Sequence, residues 1–166
     1  MGEPRSKSLK TSKSTPRRRT PAKRGASQSG KAETRRNFTI QSDFNDARDV
    51  QKRILDDVEH AGFNSQSQFA IKLALEEAMI NAIKHGNRLD RAKKVRVNAM
   101  VSPAQAEIII EDEGPGFARQ YVPDPTLEEN LEKCSGRGIL LIEAYMTSAE
   151  WTNGGRKLRM IKKNEA

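Results

Sequence analysis

A chain of 166 residues with 35% hydrophobic content is long enough for one domain with a real core. No apolar run approaches the roughly 20 residues of a membrane span, and no apolar signal segment precedes a small-residue cleavage site, so a cytoplasmic location with no membrane contact is expected. The lone cysteine, Cys134, cannot form an internal disulfide, which suits a reducing compartment.

The net charge of +8 is unevenly held. Residues 1–36 carry 12 Lys and Arg against Glu3 and Glu33, whereas residues 37–166 carry 18 against 20 acidic residues. The first segment is built from Ser, Thr, Pro, Gly, Lys and Arg with no aromatic residue, and it cannot bury enough surface to fold alone. It is expected to be a disordered basic tail, with one folded domain over 37–166. Arg17, Arg18, Arg19, Lys23 and Arg24 would attract nucleic acid in a salt-dependent way. A solubilising extension is the preferred reading of the tail.

Taken in chain order, Asn37–Ile40 reads as a short strand. Ser42 or Asp43 caps a following helix in which Phe44, Ala47, Val50, Ile54, Leu55 and Val58 keep helical spacing, and Gly62 ends it. Asn64 or Ser65 opens a second helix with the apolar stripe Ile71, Ala74, Leu75, Ala78, Met79, Ala82 and Ile83, broken at Gly86-Asn87. Val95–Val101 and Glu107–Asp112 read as strands joined at Ser102-Pro103 in an antiparallel hairpin. Residues 118–135 have no clean period and are expected to form a functional lid or a disordered insert. A helix from Gly138 to about Met146 follows. Two closing strands, Ala149–Thr152 and Lys157–Ile161, flank an Asn153-Gly154-Gly155 turn. Helices on one face of a mostly antiparallel sheet give an α+β two-layer sandwich.

Three segments carry chemistry. Glu77 and Asn81 lie four residues apart on the second helix and share a face, opposite the apolar stripe; Glu76 lies about 100° away and is expected in solvent. The β-branched run Ile108-Ile109-Ile110 empties into Glu111-Asp112-Glu113-Gly114-Pro115-Gly116-Phe117. There Asp112 can accept a hydrogen bond from an exocyclic amine, and Gly114 and Gly116 let backbone approach a ligand or turn a loop. Ser135-Gly136-Arg137-Gly138 opens the third helix, where free N–H groups and the helix dipole make a seat for an anion. Each segment alone is a weak signal.

Their order, E-A-x-x-N-A-x-x-H-G, then D-x-G-x-G-F after a strand, then S-G-x-G before a helix, resembles the GHKL ATPase superfamily of gyrase, a chaperone family, histidine kinases and the MutL repair proteins. The compact form with Glu-Ala ahead of the Asn is most similar to bacterial anti-sigma factors that are also serine-protein kinases (RsbW-like), over about residues 38–163. The resemblance implies ATP and Mg²⁺ as cofactors, Asn81 as the metal ligand, Glu77 as general base and Asp112 as the adenine selector. Gly114 and Gly116 then flank the base selector, Gly136 and Gly138 close on the phosphates, and Ser135 is a cap for the third helix. Arg137 between the glycines either neutralises phosphate charge or faces water, and Arg119 and Lys133 in the lid are weaker candidates for the same task. His85 either touches phosphate or orients Asn81, or is simply a helix-terminal histidine. Lys84 is a solvated charge.

The resemblance further implies phosphorylation of a small antagonist on Ser or Thr, sequestration of a sigma factor, and a homodimer. A nucleotide-gated binding module without catalysis and a regulator held on nucleic acid by its tail are the alternatives. Glu77 argues for catalysis, because a serine hydroxyl needs a base at its proton. Two positions depart from the family pattern: Gly155-Arg156 stands where a Gly-Thr pair is usual, and Arg137 stands inside the glycine pair.

Overall fold

Period-two alternation of β-branched and small apolar residues builds the sheet. The computed structural model describes residues 2, 32–117 and 137–165. Strands β1 (Thr34–Gln41), β2 (Lys94–Val101), β3 (Gln105–Asp112), β4 (Ser148–Thr152) and β5 (Lys157–Lys163) form one sheet in the order β1-β2-β3-β5-β4, every pair antiparallel. The expected hairpin is β2–β3. In its register Val97 faces Ile110 and Ala99 faces Ile108, while Ile108 and Ile110 face Met160 and Leu158 on β5. One face of the sheet is therefore continuous hydrocarbon. The other carries charge, including Arg96 against Glu113 at 3.2 Å and Arg159 against Glu107 at 2.8 Å.

Helices α1 (Phe44–Ala61), α2 (Ser65–Ile80) and α3 (Arg137–Tyr145) cover the apolar face, completing the α+β two-layer sandwich. Helix α1 buries Ala47, Val50, Ile54 and Val58. Of the expected α2 stripe, every residue from Ile71 to Met79 is buried, as are Ala82 and Ile83 beyond its end. Ile54, Ile71, Leu75 and Ile108 are 0% exposed, and each contributes about 1.5–3 kcal/mol of transfer free energy.

The ends of the helices follow from local chemistry. Asp43, rather than Ser42, caps α1, accepting from the N–H groups of Asn45 and Asp46. Gly62, at φ 89°, ends it in the left-handed region, its N–H donating to the Glu59 carbonyl at 2.9 Å. Asn64 caps α2, accepting from Ser67 N–H at 2.7 Å, and its Nδ2 donates to the Glu165 carbonyl. Replacing Asn64 by Ala is expected to lower stability by about 1 kcal/mol; urea denaturation at constant slope checks it.

Strand β1 begins at Thr34, three residues ahead of the strand expected at Asn37. Arg36 belongs to it and forms a two-pronged pair with Asp57 on α1, Nε to Oδ2 at 2.6 Å and Nη2 to Oδ1 at 2.7 Å. Helix α2 does not simply break at Gly86. It passes into a π-helical turn, Asn81–Gly86, in which Asn87 N–H donates to the Ala82 carbonyl, five residues back, at 2.8 Å. The β4–β5 connection is a single 3₁₀ turn, Asn153–Gly155.

Candidate nucleotide-binding site

The apolar back of α2 is anchored in the core, which turns Glu77 and Asn81 toward the start of α3. Gly138, the second residue of α3, packs so closely there that a Cβ on it would overlap Glu77 Oε2 and lie 3.7 Å from Asn81 Nδ2. A glycine at that point lets the first turn of α3 rest directly over the carboxylate and the carboxamide. Burial pushes the half-buried Glu77 carboxyl above its ordinary range, and the neighbouring Glu76 charge adds to the shift. Glu76 itself is exposed, as are Lys84 and His85.

The other end of the site is built where α2 meets β3. The Asp112 N–H donates to the Arg156 carbonyl at 3.0 Å, and its Oδ1 accepts from Gly114 N–H at 2.8 Å. A Cβ on Gly86 would overlap the Asp112 carboxylate, and a Cβ on Gly114 would overlap the Gly86 carbonyl. Neither residue has a positive φ, so both are glycines for closeness of approach rather than for conformation. Burial raises the Asp112 pKa most, opposed by the Gly114 N–H, then by Arg156 and Lys93, with Glu111 on the raising side.

Gly116 has a different neighbour. At φ 79° it sits against the β4–β5 turn, where a Cβ would overlap the Gly154 carbonyl, and Phe117 N–H donates to that carbonyl at 2.8 Å. Arg156, which stands where the family usually has Thr, holds its side chain back on the same turn, Nε donating to the Asn153 carbonyl at 3.0 Å. Arg137 is exposed at the first position of α3. Ser135 and Gly136, and with them Cys134, Arg119, Lys133 and the expected lid, lie outside the described residues.

Asn87, expected from its sequence only to break the second helix, has a larger part in the structure. It is 0% exposed. Its Nδ2 donates to Ser42 Oγ and to the Lys94 carbonyl, both at 2.9 Å, and its Oδ1 accepts from Glu113 N–H at 2.8 Å. Ser42, the rejected cap, is buried and donates to the Lys93 carbonyl at 3.1 Å. The one available signal was a polar residue following directly on an apolar stripe, which reads equally as a loop.

The donor set suits a magnesium–nucleotide complex. Among the described residues no group of three His, Cys, Asp or Glu could enclose a metal. A hard cation at Asn81 would therefore complete its shell with water and phosphate oxygens, as Mg²⁺ does with nucleotides.

The family model of the histidine kinase-like ATPase domain matches residues 40–162. An anti-sigma F factor of Clostridium perfringens is 37% identical over 103 residues, covering 56% of this chain and 70% of the relative. A serine-protein kinase RsbW of Oceanobacillus iheyensis is 30% identical over 98 residues, covering 55% and 62%. The crystal structure of the RsbU and RsbW domains of a Mycobacterium tuberculosis protein has the same fold, with a TM-score of 0.54 at 16% identity. That likeness covers 80% of this chain and 32% of the other, so the chain spans about a third of that protein. With the matched family model spanning β2, β3, all the helices and the whole site, the chain belongs to the histidine kinase-like ATPase family, among its RsbW-like anti-sigma factors.

Proposed function

We propose that the protein is an ATP-dependent kinase that phosphorylates a Ser or Thr hydroxyl of a small antagonist protein and otherwise holds a sigma factor. The observation that carries this reading is the Glu77 carboxylate, half-buried with a raised pKa, one turn from Asn81 and beneath the start of α3. A carboxylate so placed is suited to take a proton from a hydroxyl, and burial moves it toward the pH at which it must work. The names of the relatives, anti-sigma F factor and serine-protein kinase, point the same way.

In this reading Asn81 holds Mg²⁺, which offsets phosphate charge when bound. Asp112 accepts from the adenine amine, with Gly114 and Gly116 giving backbone room. The first-turn N–H groups of α3, with Ser135, Gly136, Arg137 and Gly138, receive the phosphates, and His85 serves the same end. Glu77 accepts the hydroxyl proton as the hydroxyl oxygen bonds to the γ-phosphorus. The bond from that phosphorus to the β-phosphate oxygen breaks, and ADP leaves. Phosphorylation of the antagonist leaves the sigma factor sequestered.

The activity is assigned to the folded domain that begins with β1 at Thr34, three residues ahead of the expected boundary at 37, working as a cytoplasmic homodimer, with the basic segment ahead of β1 dispensable for it. No helix among the described residues is long and apolar enough to cross a membrane.

Replacing Asn81 by Ala tests the metal end directly. ATP affinity in wild type should depend on Mg²⁺, and in Asn81→Ala that dependence should disappear when titrated calorimetrically with and without the metal. A Mg²⁺ dependence equal to that of wild type would remove Asn81 from the site.

A further inference from the structure

Asn87 does more than end α2. A buried carboxamide is costly unless its hydrogen bonds are met, and here the three that are made run to three different segments. They reach the junction of β1 and α1 at Ser42, the start of β2 at Lys94, and the turn after β3 at Glu113. Glu113 is the residue between Asp112 and Gly114, and the Glu113 side chain returns the tie, its Oε2 accepting from Lys94 N–H at 2.8 Å. The turn that carries Asp112 is thus held from both sides of β2's first residue.

The backbone is arranged to deliver Asn87 there. The π-helical turn inserts one residue relative to α-helical spacing. Without it Asn87 would be rotated by about 100°, away from Glu113. Two consecutive non-glycine residues, Arg88 at φ 56° and Leu89 at φ 60°, then adopt the left-handed conformation, which is unfavourable for both. Leu89 N–H closes on the Ile83 carbonyl at 2.9 Å, so the widened turn is completed rather than frayed.

We propose that Asn87 is a positioning residue for base recognition. By holding Glu113 N–H it sets where the Asp112 carboxylate points, and with it the preference for a 6-amino purine over a 6-oxo purine. This rests on the reading that Asp112 accepts from the adenine amine.

The test compares binding of Mg-ATP and Mg-ITP to the full chain by calorimetry. ITP carries a carbonyl where ATP carries the amine, so Asp112 would face an acceptor. Wild type is expected to prefer ATP by at least about tenfold, the worth of one hydrogen bond to a charged group. In Asn87→Ala the ratio should fall toward one, chiefly through weaker ATP binding. Asn87→Asp keeps an acceptor for Glu113 N–H but loses both Nδ2 bonds, so its ratio should lie between those of Asn87→Ala and wild type.

A wild-type ratio in Asn87→Ala overturns the proposal. So does equal weakening of both nucleotides, which is what a purely structural role would give. If Asn87→Ala does not fold, Ser42→Ala decides in its place. It removes one anchor of Nδ2 and nothing at the site, and a lowered ratio supports the proposal whereas a wild-type ratio overturns it. Asp112→Asn separates the two levels: if it keeps the full preference for ATP, the base reading itself fails, whatever Asn87 does.

Discussion

Replacing Glu77 by Gln is expected to slow phosphoryl transfer to the antagonist by about 10² to 10⁴-fold, the usual contribution of a general base, while ATP still binds. Gln keeps the shape of the side chain beneath Gly138 and cannot accept the proton. The wild-type rate should fall in acid through a pKa above the ordinary glutamate range, because burial raises it. The sign of the stability effect follows from the same shift. Below the unfolded-state pKa the carboxyl is neutral in both states and costs nothing. As pH rises through the raised folded-state pKa, ionising a half-buried group disfavours the fold. Glu77→Gln should therefore melt higher than wild type at neutral pH and equal to it in acid. Single-turnover rates and melting curves across pH measure both. Transfer at the wild-type rate would remove Glu77 as the base.

Replacing Gly114 by Ala is expected to damage nucleotide binding and the fold together. The added Cβ would overlap the Gly86 carbonyl and lie 2.8 Å from Asp112 Oδ1. The first obstacle is backbone at the end of the π-helical turn that follows α2 and cannot swing aside as a side-chain tip can. Relief requires β3's turn and α2 to separate, an overpacking cost of about 1–3 kcal/mol. Separation also displaces Asp112, so ATP affinity should fall by about tenfold or more. Urea denaturation and ATP titration of the same variant read the two effects. A variant that keeps both wild-type stability and wild-type affinity would show that the approach of α2 to β3 does not govern the site.

The layout of the fold was legible because its signals are periodic. The α2 stripe from Ile71 to Ile83 and the alternation of Val95, Val97, Ala99 and Val101 each name a buried face, and the structure buries them. The pairing of Glu77 with Asn81 was legible for the same reason, since i, i+4 spacing puts both on one side of a helix. The start of β1 was not, because Arg35 and Arg36 look like more of the basic tail. Arg36 becomes strand by pairing with Ala99 on β2, and its guanidinium is met by Asp57, 21 residues away. The π-helical turn left no trace either. Ala82 and Ile83 are buried with or without an inserted residue, and the choice is made by Asn87 and by Gly86 meeting Asp112. Those are long-range contacts with no local signature. Gly116 carried two meanings in sequence, room for a ligand and room for a turn, and its contact with Gly154 could be seen only in three dimensions.

The most direct test of the central claim follows phosphate from ATP to protein. The full chain and its Glu77→Gln variant are incubated with Mg-ATP and extract from the organism that makes the protein, and peptides are sequenced by mass spectrometry. The account predicts that a small protein gains one phosphate on a Ser or Thr with wild type and not with the variant. Tight ATP binding with no phosphopeptide that distinguishes wild type from the variant would contradict it, and would make the protein a nucleotide-gated binder rather than a kinase.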